Sequence, residues 1–272
     1  MTMTRIALGL RYNGAAYHGW QVQRGLPTVQ RALESALSSV ADHSVTVTCA
    51  GRTDRRVHAT AQVVHFDTSS ARSLRAWVFG ANSYLPSDIT VMWAQPVDSS
   101  FHARFSATQR TYRYVLYNTP VRPGIMNDAV GWWYRPLDLA AMAKASRILV
   151  GEHDFSSFRG AGCQAHSPVR TISQFKICTV GQMIVFEVSA NAFLLHMVRN
   201  IVGSLIAVGD GRQAVTWLAE VLAAKDRRVA SVTFSPSGLY LVAVEYPARY
   251  NLPAMSIGPF FVPEQLDEPI SS

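Results

Sequence analysis

Asp54 stands in a polar loop, Gly51-Arg52-Thr53-Asp54-Arg55-Arg56, between two runs of strand-forming residues. Val45-Thr46-Val47-Thr48 leads in, and Gln62-Val63-Val64-His65-Phe66 leads out. A carboxylate crowded by arginines is held ionised. An ionised carboxylate can add to an electrophilic carbon and later depart, splitting one hard step into two easier ones. Strands on either side give such a group rigid support. An Asp in a G-x-x-D loop also has a plainer use, bonding the N–H groups of its own turn. The loop alone leaves both uses open.

Other residues could share in chemistry or binding. Tyr112 lies in a strand of alternating aromatics, Thr111 to Tyr117, where a tyrosine ordinarily packs against its cross-strand neighbours. Strand parity puts Tyr114 on the same side. Arg199 lies in the otherwise apolar stretch Ala192 to Val208. A charge there needs a partner, or must run its head out to water. Phe101-His102-Ala103-Arg104-Phe105 interleaves basic and aromatic residues, a mix suited to phosphates and bases; an ordinary solvated face is the alternative. No carboxylate–histidine set at ligand spacing accompanies His58 and His65, so they read as structural.

The chain has 272 residues, 49% hydrophobic, with a net charge of +7 and a pI near 9.6. That length fits one large domain or two small ones. The positive charge serves solubility, and it favours a polyanionic partner over an acidic protein or a membrane. Cys49, Cys163 and Cys178 are three cysteines at irregular spacing, with no C-x-x-C and no disulfide framework. The expectation is a cytoplasmic protein without metal or cofactor. The segment from Met1 to Leu10 is no secretory signal. His196, Arg199 and Asn200 break the apolar stretch, which reads as a buried helix and not a membrane span.

The elements that must hold these residues follow from periodicity. Ile6, Leu8, Leu10 and Tyr12 alternate as a half-buried strand. A helix is expected from about Thr28, its N-cap, to His43, with Val29, Leu33, Leu37 and Val40 at helical spacing. Strands flank the Asp54 loop. A helix over Ala71 to Tyr84, with Leu74, Trp77, Val78 and Ala81 on one face, precedes a strand at Ile89 to Gln95. Strand–helix–strand–strand–helix–strand is the ferredoxin-like order. In the second half, Thr111 to Tyr117 is a strand and Asp138 caps a helix. Strands follow at Arg170–Val180 and Met183–Ala190, then helices from Ala192 and over Gln213–Lys225, and a last strand at Leu239–Glu245. The expected organisation is an α/β (α+β) chain of two halves, residues 1–105 and 106–250, with an irregular tail, 251–272.

Gly51-Arg52-Thr53-Asp54, with Val57-His58-Ala59 and Gln62-Val63-Val64-His65-Phe66, resembles the signature of the tRNA pseudouridine synthase A family. The resemblance runs from the first strand to Gly258-Pro259. It includes Tyr17-His18-Gly19-Trp20-Gln21, Phe101 to Ala107, Tyr112-Arg113-Tyr114, Asp154-Phe155 with Ser157-Phe158-Arg159, His196-Met197-Val198-Arg199-Asn200 and Gly238-Leu239-Tyr240-Leu241. Several motifs in the right order are far more specific than one short pattern. One departure stands out: the family usually has small residues after the Asp, often Ala-Gly, where this chain has Arg55-Arg56. Glycine there would allow backbone angles that arginine resists.

The resemblance implies a pseudouridine synthase fold, two ferredoxin-like (RRM-like) halves with antiparallel mixed sheets and a central basic cleft. It implies an isomerase that converts uridine to pseudouridine at positions 38, 39 and 40 of the tRNA anticodon arm. By the same implication Asp54 is the nucleophile, and Tyr112 stacks on uracil and acts as base. Arg199 pairs with Asp54, Leu239 walls the uracil, and Arg52 assists base flipping. Phe101, His102, Ala103, Arg104 and Phe105, then Gly162, Cys163, Gln164, Ala165 and His166, and also Arg72 and Trp133, would contact tRNA. The family works as a homodimer on tRNA, without metal or cofactor. Two rival readings remain at this point: an RNA-binding protein of the same fold that has lost catalysis, and a metal-dependent nuclease built on Asp54, Asp67 and the histidines.

Overall fold

The computed structural model describes residues 3–266. The chain divides into two compact units. The first comprises Met1–Gln109 with Tyr240–Phe261, and the second Arg110–Leu239 with the chain from Val262 onward. The strand Leu239–Glu245, which follows the second half in sequence, therefore supplies most of its length to the first unit.

In the first unit the elements come in the expected order: β1 (Thr4–Tyr12), α1 (Val29–Ala41), β2 (Thr48–Cys49, only the end of the run expected from Val45), β3 (His58–Thr68), α2 (Ala81–Tyr84) and β4 (Ile89–Val97). Both β4 and β3 run antiparallel to β1, one on each side. The other edge of β3 is shared. β2 pairs antiparallel at His65 and Val64, while the strand Leu239–Glu245 pairs parallel at His58 and Ala59. The Asp54 loop spans the chain between β2 and β3.

Several expectations change in detail. β1 is buried on both faces, not one. Ile6, Leu8 and Leu10 line one side, and Ala7 on the other is covered by Val63, Phe101, Ala103 and Tyr250. The helix before β4 contains a π-helical turn, Ala76–Gly80. That wider turn rotates its flanks relative to each other: Trp77 and Ala81 are buried, but Leu74 is exposed. Thr28 occupies the N-cap of α1 with extended backbone angles, yet makes no capping hydrogen bond with its side chain.

The second unit is built on β5 (Gln109–Asn118), β6 (Gly131–Trp133), β7 (Gly151–Asp154), β8 (Val169–Val180) and β9 (Met183–Ala190). β5, β9, β8 and β7 are successive antiparallel neighbours, and β6 runs parallel to β5. Helix α3 (Leu139–Ser146) starts where Asp138 accepts the Ala141 N–H at 2.9 Å. Helix α4 (Met197–Gly209) begins five residues later than its apolar pattern predicts. Asn191 holds the preceding chain open by accepting the N–H groups of Thr171 and Ala192, and Leu195 accepts the Gly160 N–H at 2.8 Å. His196 then enters the helix from the left-handed region, φ 60°. Helix α5 is likewise shorter than expected, Trp217–Ala224. The segment after Glu245 has no further strand among the described residues, but it is tied down: Ser256 Oγ accepts from Arg11 in the first unit, and Arg113 donates to the carbonyls of Pro263 and Glu264 in the second.

Candidate active site

Asp54 is half-buried on a loop whose backbone is held on two sides. The Asp54 carbonyl accepts the Val57 N–H at 3.1 Å, which closes a tight turn. From beneath, the segment Tyr17 to Trp20 grips the loop. The Trp20 N–H donates to Thr53 at 3.0 Å, and the Arg56 N–H donates to Tyr17 at 3.2 Å. The two backbones approach so closely that only glycine fits at 19. Its φ is +92°, and a Cβ there would lie 2.7 Å from the Thr53 carbonyl oxygen. Tyr17 is itself fixed by donating its hydroxyl to Asp88 at 2.6 Å. Arg52 and Arg55 on the loop are exposed, and Asp54 between them is not.

The Phe101–Phe105 segment belongs to the same unit. Phe101 and Ala103 are fully buried, so their side chains pack into the core. Phe101 packs edge-on against Tyr250, rings 5.0 Å apart. His65 on β3 accepts the Ala103 N–H on Nδ1 at 3.1 Å, which sews the segment to the sheet. Between these anchors His102 stacks on Phe105 at 4.3 Å, with Arg104 beside it. Arg104 and Phe105 are exposed. The Cys49 thiol beneath is pushed up to about 12 by desolvation, against the opposing fields of Arg52 and Arg104. Such a thiol is inert as a nucleophile.

Tyr112, Arg199 and Leu239 all lie in the second unit. Tyr112, on β5, is buried, with its ring edge-on to Phe193 at 5.0 Å. Tyr114 is deeper still: its hydroxyl donates to the Ser235 carbonyl at 2.9 Å. Arg199, in the first turns of α4, is half-buried and donates Nε–H to the Phe234 carbonyl at 2.8 Å, while its own carbonyl accepts the Phe234 N–H at 3.2 Å. That segment continues to Gly238, whose carbonyl accepts from Val115 at 2.8 Å. A Cβ on Gly238 would fall 2.4 Å from the Val115 oxygen. Leu239 follows at once, 5% exposed. Tyr114, Val115 and Arg199 thus all hold the chain that delivers Leu239. Arg113, the middle residue of Tyr-Arg-Tyr, is a structural cation, fully buried and bonded to Glu187 at 2.7 Å.

Gly162 to His166 form a loop in which Gly162, Gln164 and His166 are exposed. Arg159 props it by donating to the Cys163 and Ala165 carbonyls at 2.7 and 2.8 Å. Burial pushes the Cys163 thiol up, but the backbone N–H groups of Ala165 and Leu195 and the Arg159 cation outweigh it, so it sits below its usual range. Trp133 on β6 is half-buried with the Arg212 guanidinium 5.3 Å over its ring. Arg72 is exposed and donates to the Val40 carbonyl at 3.0 Å. Among the described residues no group of three or more His, Cys, Asp or Glu is placed to hold a metal ion, and no helix is long and apolar enough to cross a membrane.

The chain is similar to known proteins along most of its length. The family model described as tRNA pseudouridine synthase matches residues 10–106 and 145–247. A tRNA pseudouridine synthase A of Coxiella burnetii is 60% identical over 261 residues, 96% of this chain and 100% of the relative. Those of Vibrio cholerae and Pseudomonas aeruginosa are each 53% identical, over 97% and 96% of this chain and 100% and 92% of the relatives. This chain belongs to the tRNA pseudouridine synthase A family. Among solved structures, a Cbf5-Nop10-Gar1 complex aligns over 87% of this chain and 48% of its own, at 8% identity and a TM-score of 0.39, too loose a likeness to carry an argument.

Within that family the departure at Arg55-Arg56 has a local consequence. Arg56 adopts φ 66°, the left-handed conformation that glycine takes freely. The synthase loop is therefore kept in a glycine-like shape by its surroundings. Tyr12, Gly19 and Gln62, to which sequence reasoning assigned no part in the loop, also shape it, beside His58, already read as structural. A signal existed for Gln62, a polar residue in an apolar strand. His58 accepts the Gly14 N–H at 3.1 Å and stacks on Tyr240 at 4.6 Å, a structural use.

Proposed function

We propose that this chain isomerises uridine to pseudouridine at positions 38, 39 and 40 in the anticodon arm of tRNA, working in the cytoplasm as a homodimer. The observation that supports this best is identity above half with tRNA pseudouridine synthase A enzymes across nearly the whole chain, together with Asp54 on a tightly held, arginine-flanked loop. The reaction breaks the N1–C1′ bond and forms C5–C1′. N1 gains a proton and C5 loses one, so atoms and electrons balance within the nucleotide and no cofactor or metal is required.

Asp54 serves as the nucleophile that adds to the nucleoside and later leaves. Tyr112 stacks on the uracil and takes the C5 proton after reattachment. Arg199 supplies the cation that keeps Asp54 ionised, and Leu239 walls the ring. Extracting a base from its stack costs a few kcal/mol. Arg52, exposed beside Asp54, offsets that cost by stacking on or bonding the nucleotides left behind. Exposed Arg55 adds a phosphate contact to the same loop. His102, Arg104 and Phe105, then Gly162 to His166, Arg72 and Trp133, touch the tRNA, with Phe101 and Ala103 as buried supports.

The C5 hydrogen leaves in this scheme. A tRNA transcript tritiated at uridine C5 should therefore release tritium to water when the protein is added. Tight tRNA binding with no release would remove the proposal.

A further inference from the structure

Between β2 and Asp54 the chain leaves the sheet, and its backbone polar groups need new partners. The β2–β3 ladder extends to Ala50, whose N–H donates to Val63 at 2.8 Å. At the next residue a side chain takes over from the strand. Gln62 Nε2–H donates to the Gly51 carbonyl at 2.6 Å, and Gln62 Oε1 accepts the Gly51 N–H at 3.3 Å. Gln62 Nε2 also reaches the Tyr12 hydroxyl at 3.4 Å, and that hydroxyl shares a 2.8 Å bond with Thr53 Oγ1. Gln62, Tyr12 and Thr53 are 0%, 4% and 6% exposed. These bonds converge on Gly51 and Thr53, the two residues that bracket Arg52 and lead directly into Asp54.

Core packing does not explain an amide here. Gln62 shares its face of β3 with Val64 and Phe66, both buried. An apolar residue would fill that site without the cost of desolvating an amide. What the amide adds is direction. It fixes both polar groups of one loop residue, and a fully satisfied buried network specifies one arrangement.

We infer that Gln62, acting with Tyr12 and Thr53, is a positioning residue for the reaction: it sets the backbone from which Arg52 and Asp54 project. The inference rests on the reading of Asp54 as nucleophile.

The test measures kcat and KM on an unmodified tRNA transcript, with melting temperature, for wild type, Gln62→Met, Tyr12→Phe, Thr53→Val and Thr53→Ser, and with Asp54→Ala as the inactive reference. Misplacing a reacting group by about 1 Å can cost about a hundredfold in rate. Gln62→Met should lower kcat about ten- to a hundredfold with KM changed less than about threefold. Thr53→Val should lower kcat, and Tyr12→Phe at least as much because it also removes the Gln62 contact; the double mutant should lose less than the product of the two, since they share a bond. Thr53→Ser, which keeps the hydroxyl, should restore the wild-type kcat. A folded Gln62→Met with wild-type kcat overturns the inference. If that variant does not fold, equal kcat in Thr53→Val and Thr53→Ser overturns it instead. Failure of wild type to form pseudouridine, or product from Asp54→Ala, would sink the underlying reading and the inference with it.

Discussion

Arg56 donates its backbone N–H to the carbonyl of Tyr17 at 3.2 Å, and it does so with φ at 66°. An L-residue pays roughly 1–2 kcal/mol to take that backbone conformation. The cost falls on the residue two places after Asp54, so the loop that presents the carboxylate is held against local preference by the segment beneath it.

Arg56→Gly and Arg56→Val separate that strain from the arginine's side-chain contacts, because both remove the latter. Urea denaturation should find the glycine variant more stable than the valine variant by about 1–2 kcal/mol. The glycine variant should also keep its catalytic rate, since its loop keeps its shape. Equal stabilities would mean that position 56 is not strained.

Tyr112→Phe keeps the ring that packs on Phe193 at 5.0 Å and removes only the hydroxyl. Proton transfer by a positioned side chain is worth roughly a hundred- to ten-thousandfold in rate. The variant should bind tRNA like wild type and form pseudouridine at least about a hundredfold more slowly. A near-normal rate in single-turnover assays would exclude Tyr112 as the base.

His65 links the sheet to the segment carrying His102, Arg104 and Phe105. Its pKa is lowered to about 4, first by desolvation and then by the nearby Arg5 and His102, with Asp67 opposing. The folded protein thus holds His65 neutral where the unfolded chain, titrating near 6.5, takes up a proton. Its contribution to stability is complete above about pH 6.5 and is lost as pH falls from there toward 4, on the order of 2 kcal/mol in all. Protonation at Nδ1 would also turn the acceptor of the Ala103 N–H into a second donor. His65→Asn, which can keep the acceptor without titrating, should flatten the stability profile between pH 7 and 4.5 relative to wild type. Parallel profiles would place the acid sensitivity elsewhere.

Much of this was legible in the sequence, for reasons that differ by element. Alternation marked β1 and β5, because side-chain parity is a local property. It could not show that β1 is covered on both faces, since Ala7 meets Phe101 and Tyr250 only after distant chain folds back. The apolar run from Ala192 looked helical throughout, yet Asn191, Gly160 and the left-handed His196 hold its first residues open. Spacing and resemblance singled out Asp54 and Arg52. The supports of their loop escaped notice. Gly19 matters through a clash with Thr53 thirty-four positions away, and Gln62 through two bonds to Gly51. In Phe101 to Phe105 the basic-aromatic pattern mixed two kinds of residue, buried Phe101 and Ala103 with exposed Arg104 and Phe105. Only packing distinguishes them.

In the proposed reaction Asp54 makes pseudouridine in the anticodon arm. Wild type and Asp54→Asn, which keeps the size of the side chain and removes its charge, should be incubated with an unmodified tRNA transcript and chelator, and pseudouridine mapped by position. Wild type should form product at positions 38 to 40 and Asp54→Asn none, with tRNA affinity in the two within about threefold. Substantial product from Asp54→Asn, or none from wild type despite tight binding, would contradict that reaction.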